Sequence, residues 1–280
     1  MRRAGASEMQ GWSETIAQRV MNGVRDAISA EAASDRRHTK INGRTPVFII
    51  CSSRPRVGKT LLARLLIEFF LVNGRSVVAF DANPNDASLS QYLPSHTVAA
   101  AIDDTKSQMA VFDRLIVNDA RLKIIDLAAE LFDPFFALMR NIGFVEEAAK
   151  QLISPVVLFG TDRHRLCVQA YDMLWRRFPD LTLVPVHNEA VATSWDGYSF
   201  PGRGANGIPL RIPRLPWTWN GVVNRNSFSF TKFLDTPVNF PTELHEWINR
   251  SFIAFRELQL SVLLEDFRPL FNGRAVEQRL

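Results

Sequence analysis

Gly58-Lys59-Thr60 stands between a short apolar run, Val47 to Ile50, and a helix-spaced run, Thr60 to Val72. That order suits phosphate chemistry. Backbone N–H groups and a helix N-terminus face an anion, a lysine adds charge, and a hydroxyl holds Mg²⁺. The pattern G-x-x-x-x-G-K-[ST] is incomplete here, because Ser53 occupies the first glycine position and Arg54, Pro55 and Arg56 follow it. Two acids end strand-like runs nearby: Asp81 after Ser76–Phe80, and Asp126 after Lys123–Ile125. Magnesium prefers hard oxygen ligands, so Thr60, Asp81 and Asp126 form the candidate metal set of a nucleotide site. Each acid also fits a plain turn cap.

These residues need a scaffold that brings strand ends together. Strands are predicted over 47–50, 76–80, 123–127, 155–160 and 181–187, with a possible last one in 208–213; helices are predicted over 60–72, 132–152, 163–178 and 241–267. The alternation describes one α/β domain over 45–280, opened by a βαβ unit whose loop lies where a parallel sheet presents ligands. Residues 1–44 read as an N-terminal extension. There, Trp12, Ile16, Val20, Val24 and Ile28 make one apolar stripe on a helix from about 12 to 30, and 34–44 read as a basic linker. The stripe suits packing on the body, docking of a protein partner or a membrane surface; its mixed-sign polar face argues against the last.

Composition narrows the partners. The net charge is +4, but residues 1–45 carry eight Lys/Arg against five acids, leaving one net positive charge for the rest. The body therefore shows no obvious basic footprint for nucleic acid; composition leaves room for a local patch, but the charge distribution does not support one. No apolar run is long enough to span a membrane. The two cysteines, Cys51 and Cys167, and the lack of a signal-like apolar core point to a cytoplasmic, reducing setting. Five scattered histidines show no metal-ligand spacing. Gly202–Gly207 is formally G-x-G-x-x-G but does not open a helix, and Asp103-Asp104 reads as a helix N-terminus. Cys51 reads as a small apolar residue beneath the loop, and Trp217 and Trp219 as core, base cover or partner surface.

"VFIICSSRPRVGKTLLARLL…NGRSVVAFDANPNDASLS" resembles the opening of the ParA/MinD group of deviant Walker ATPases, with Asp81 and Pro84 at the family's spacing from Lys59. "KIIDLAAE", "LVPVHNE" and "RIPR" resemble its later motifs, so the likeness covers about residues 45–265. It implies a three-layer P-loop NTPase fold with a twisted, mainly parallel sheet flanked by helices, ATP with Mg²⁺, a nucleotide-sandwich homodimer and a role in positioning cellular cargo. It further implies nucleotide contacts from Ser53, Arg56, Val57, Gly58, Lys59, Thr60 and Leu61, and contacts near the base from Asn188 and Pro213. Arg54 falls at the signature lysine that reaches across the dimer, and Asn83 at the acid that positions the attacking water. Both are the candidate catalytic residues. The departures cluster: Pro55 and Arg56 replace glycines, Asn83 an Asp, Ala129 a glycine near the γ-phosphate, and Leu61 a common hydroxyl. What is kept serves the inner phosphates and metal. The expectation is a dimerising ATP switch with weak or absent hydrolysis. The alternatives are a non-hydrolysing scaffold and a protein like the bacterial tyrosine kinases, whose Ser-x-x-Pro-x-x-Gly-Lys-[ST] loop Ser52 and Pro55 match.

Overall fold

The structure, a computed structural model, describes residues 44–83, 88–102, 104–191, 200–204 and 207–274. The expected amphipathic helix over 12–30, its linker up to residue 43, Pro84 and Asp103 lie outside them.

Apolar runs of strand length open and centre the domain. β1 (Thr45–Cys51), β4 (Leu122–Leu127) and β5 (Ile153–Gly160) are almost wholly buried, as strands covered on both faces must be. With β2 (Val77–Ala82), β3 (Thr97–Ala99), β6 (Thr182–Asn188) and β7 (Leu210–Ile212) they form a seven-stranded sheet in the order β3-β2-β4-β1-β5-β6-β7. Every strand pairing in it is parallel. Strand alternation divides the core in two. On one face Phe48, Ile50, Ile124 and Leu158 pack with α1 (Lys59–Val72) and α9 (Glu243–Arg274) through residues such as Leu62, Leu66, Phe69 and Phe255. On the other, Val47, Ile49, Ile125 and Val157 meet α3 (Thr105–Ile116), α4 (Phe132–Asn141), α5 (Phe144–Lys150) and α6 (Arg165–Arg177). Phenylalanines dominate that layer: Phe112 stacks on Phe135 at 5.0 Å, and Phe132 lies 5.0 Å from Phe136. The result is the expected three-layer α/β architecture.

Several details were not anticipated. The helix predicted over 132–152 breaks into α4 and α5 at Gly143, whose φ of 61° is the left-handed turn that glycine takes at least cost. α2 (Ser88–Tyr92) and β3 carried no strong apolar period. The start of α3 falls where Asp103-Asp104 predicts a helix N-terminus, and Asp104 does cap it by accepting from Ser107 N at 2.8 Å. Two further short helices, α7 (Asn220–Val223) and α8 (Phe230–Leu234), follow β7. Lys123, an odd residue for a buried strand, donates to the Val117 carbonyl and to Asp119 Oδ1 at 2.9 Å. No helix among the described residues is long and apolar enough to cross a membrane.

Candidate functional site

Parallel pairing aligns the strand ends that matter. Asp81 of β2 is the register partner of Asp126 in β4, Asp126 of Ile50 in β1, and Ile50 of Leu158 in β5. Register partners share a face, so both acids lie on the α1 side. The chain leaves β1 towards β2 on one flank and enters β5 on the other, so the loop after β1 sits at the switch point where open α/β sheets bind ligands.

That loop, Ser52–Gly58, is pinned from several sides. Ser52 Oγ donates to the Gly160 carbonyl at 2.7 Å and accepts from Arg54 N at 3.2 Å. Ser53 Oγ donates to the Leu166 carbonyl at 3.2 Å. Val57 is buried against the end of β5, where a Cβ on Gly160 would lie 2.9 Å from Val57 Cγ2. Arg56 is exposed and left-handed, with φ 60°, and Gly58 follows at φ 90°. The loop therefore keeps a bend that glycine would normally supply, on a side chain that resists it. Arg56→Gly removes a cost of about 1 kcal/mol, partly offset by glycine's entropy. A net stabilisation of roughly 0.5 kcal/mol in urea denaturation is expected.

At the end of the loop the expected groups come together. Thr60 Oγ1 donates to Asp126 Oδ2 at 2.7 Å, and Lys59 Nζ donates to the Arg54 carbonyl at 3.0 Å. Burial lowers the Lys59 pKa from its ordinary value, and the Asp126 carboxylate opposes that. Among the described residues, the backbone N–H groups of Gly58, Lys59 and Thr60 have no acceptor. An unpartnered run of N–H groups at a helix start, with an ammonium beside it, suits an anion. Among the described residues, no group of three His, Cys, Asp or Glu side chains could hold a metal. Magnesium bound by one or two protein oxygens plus phosphates and water needs no such group.

Other candidates sit differently. Asp81 Oδ2 accepts from Ser90 N at 2.9 Å, so this acid also caps α2. Asn83 is half-buried just beyond β2. The Arg54 side chain turns to Asp162 of its own chain, Nε to Oδ2 at 3.5 Å. Leu61 packs against the α1-side core. Pro213 is buried and its carbonyl accepts from Trp247 Nε1 at 2.7 Å, which ties the segment to α9. Asn188 Nδ2 donates to the Val57 carbonyl at 3.1 Å. Cys51 is fully buried beneath the loop, as its apolar reading required, and burial pushes its thiol pKa up. Trp217 is 82% exposed, whereas Trp219 is half-buried and packs edge-on against Phe233 at 5.8 Å.

Three residues of the site were not singled out from the sequence: Asp162, Arg64 and Glu68. The last two interrupt the apolar run of α1 four residues apart, a signal that a buried polar contact awaits them. Arg64 Nη2 donates to the Val223 carbonyl at 2.9 Å, and its guanidinium lies 3.6 Å from the Tyr92 ring centroid. Glu68 Oε2 accepts from Ser229 Oγ at 2.6 Å, Thr231 N at 2.9 Å and Thr231 Oγ1 at 3.0 Å. The helix that carries Lys59 and Thr60 thus also grips the chain around 223–231.

Beside Asn188, His187 pairs in register with Arg211 of β7. Burial, and then the Arg211 charge, lower its pKa to about 4. Between its ordinary value of 6.5 and about 4, the unfolded chain binds a proton that the folded one refuses. Stability therefore falls as pH drops through that window. His187→Gln should flatten the slope in thermal melts taken from pH 7 to 4.5.

No protein-family model matches the chain, and no curated protein matches it either.

Proposed function

We propose that the chain binds ATP with Mg²⁺ at the 52–60 loop, as a degenerate ParA/MinD-type switch that dimerises on nucleotide and turns it over slowly or not at all. One observation carries the binding part: Thr60 Oγ1 stands 2.7 Å from Asp126 Oδ2, directly after a run of N–H groups without acceptors. Those N–H groups and Lys59 would hold the inner phosphates. Thr60 and Asp126 would take part in the metal's shell, with Asp81 one strand away in register. The metal supplies charge neutralisation between phosphate oxygens when bound.

The slow-turnover part follows from what the remaining residues can do. Asn83 can hold a water but cannot accept its proton. Arg54 is engaged by Asp162 within its own chain, and a planar guanidinium does not replace a lysine ammonium as a point charge. Pro55 offers no N–H to a phosphate. A scaffold that binds nucleotide and only docks partners is the second reading, favoured by the exposure of Trp217 at 82% and Phe240 at 68%.

Sedimentation velocity and phosphate release on the full chain separate these readings. A dimer with Mg-ATP, a monomer with ADP, and phosphate release at or only slightly above that of Lys59→Ala are expected. Rapid multiple-turnover release that Lys59→Ala abolishes would overturn slow turnover. A nucleotide-independent mass would leave only the scaffold.

A further inference from the structure

We infer that Asn188 is a positioning residue for the phosphate loop: it sets the Val57–Gly58 peptide, and so acts on the phosphates of a nucleotide and not on its base. The inference rests on the nucleotide reading above and departs from the base-side role that the resemblance implies.

Asn188 ends β6 on the α1-side face, in line with Val184 and Val186 of the same core. Both ends of its amide are engaged. Nδ2 donates to the Val57 carbonyl at 3.1 Å, and Oδ1 accepts from Ala190 N at 3.0 Å. Rotating the amide by half a turn would set oxygen against carbonyl oxygen and NH₂ against N–H, so the two bonds fix its orientation.

The consequence lies across the peptide. A trans peptide holds its C=O and N–H in one plane, pointing in opposite directions. Clasping the Val57 carbonyl from the β6 side therefore aims the Gly58 N–H away from Asn188, and that N–H is one of the run without acceptors. The fit is close enough to constrain the neighbour as well. A Cβ on Gly58 would lie 2.5 Å from Asn188 Nδ2, in a backbone conformation of φ 90°. Glycine at 58 and the amide at 188 thus depend on each other, across 131 positions of sequence. No base needs to be present for this contact, and any ligand carrying a diphosphate would feel its loss equally.

The test compares ATP with inorganic pyrophosphate, which has no base, on the full chain in Mg²⁺. Asn188→Ala is expected to weaken both by roughly tenfold, the upper end of what one part-buried hydrogen bond contributes. Asn188→Asp is nearly isosteric but sets a carboxylate oxygen against the Val57 carbonyl, and should weaken both by about thirtyfold or more. The ratio of the two dissociation constants should stay within about twofold of wild type. Thermal melts confirm that each variant is folded, and Asn188→Ala alone suffices for the comparison if the Asp variant does not fold. Loss of ATP binding with pyrophosphate unchanged would overturn the inference in favour of base contact. So would unchanged binding of both, or a wild type that holds ATP but not pyrophosphate. A wild type that binds neither ligand would instead remove the nucleotide reading itself, and this inference with it.

Discussion

Lys59→Ala is expected to weaken Mg-ATP binding by about 100-fold or more while leaving the melting temperature nearly unchanged. In the structure the ammonium donates to one neutral acceptor, the Arg54 carbonyl at 3.0 Å. Losing that bond costs the fold little, because the carbonyl belongs to a loop at the surface edge of the sheet. A bound polyphosphate would exchange the carbonyl for charged oxygens. Such charge-assisted bonds contribute about 1.5–3 kcal/mol each, and the low dielectric of a part-buried site strengthens them. Burial already lowers the Lys59 pKa, with Asp126 acting against it, so an arriving phosphate stabilises a charge that the apo site holds at some cost. Lys59→Arg should not restore binding, since a planar fork does not fit where one compact ammonium did. Fluorescence titration with an ATP analogue reads the loss directly. Unchanged affinity in Lys59→Ala would place nucleotide elsewhere on the chain, if it binds at all.

Glu68→Ala is expected to destabilise the domain by about 3 kcal/mol in urea denaturation. The side chain is 3% exposed, and its Oε2 accepts from Ser229 Oγ, Thr231 N and Thr231 Oγ1. Truncation leaves three donors facing an apolar gap. Glu68→Gln keeps the shape and an accepting oxygen, and should lose only about 1 kcal/mol. The contrast matters because Glu68 sits two turns beyond Thr60 on α1. Arg64, between them, contacts the Val223 carbonyl, Tyr92 and Phe230. A loss near 3 kcal/mol for Ala and a small one for Gln would show that this end of α1 is held by hydrogen bonds to the 229–231 backbone and hydroxyls. Equal losses would assign the effect to packing.

Much of the frame could be read in the chain. β1, α1, β2, β4, β5 and β6 are long apolar or helix-spaced runs, and each formed within two residues of its predicted bounds. The Thr60–Asp126 contact was also legible in kind, because a hydroxyl at a helix start and an acid at a neighbouring strand end both face the sheet's C-terminal edge. The rest was hidden for physical reasons. β3 is three residues at an exposed edge and needs no apolar run. The break at Gly143 is masked because apolar residues recur on both sides of it: Phe136, Met139, Phe144 and Ala148 are all buried. Arg56 looked incompatible with a phosphate loop, yet its backbone takes the left-handed bend at φ 60°. Asn188 meets Val57 across the sheet, and no local pattern encodes a contact between residues so far apart in sequence.

Isothermal titration of the 280-residue chain with ATP and with ADP, each in Mg²⁺ and again in EDTA, bears most directly on whether the 52–60 loop is a nucleotide site. The retained groups, Gly58, Lys59, Thr60 and Asp126, serve the inner phosphates and the metal. Both nucleotides should therefore bind, with ADP within about tenfold of ATP, and EDTA should weaken both. Absence of binding heat for either nucleotide, with and without Mg²⁺, would contradict the assignment.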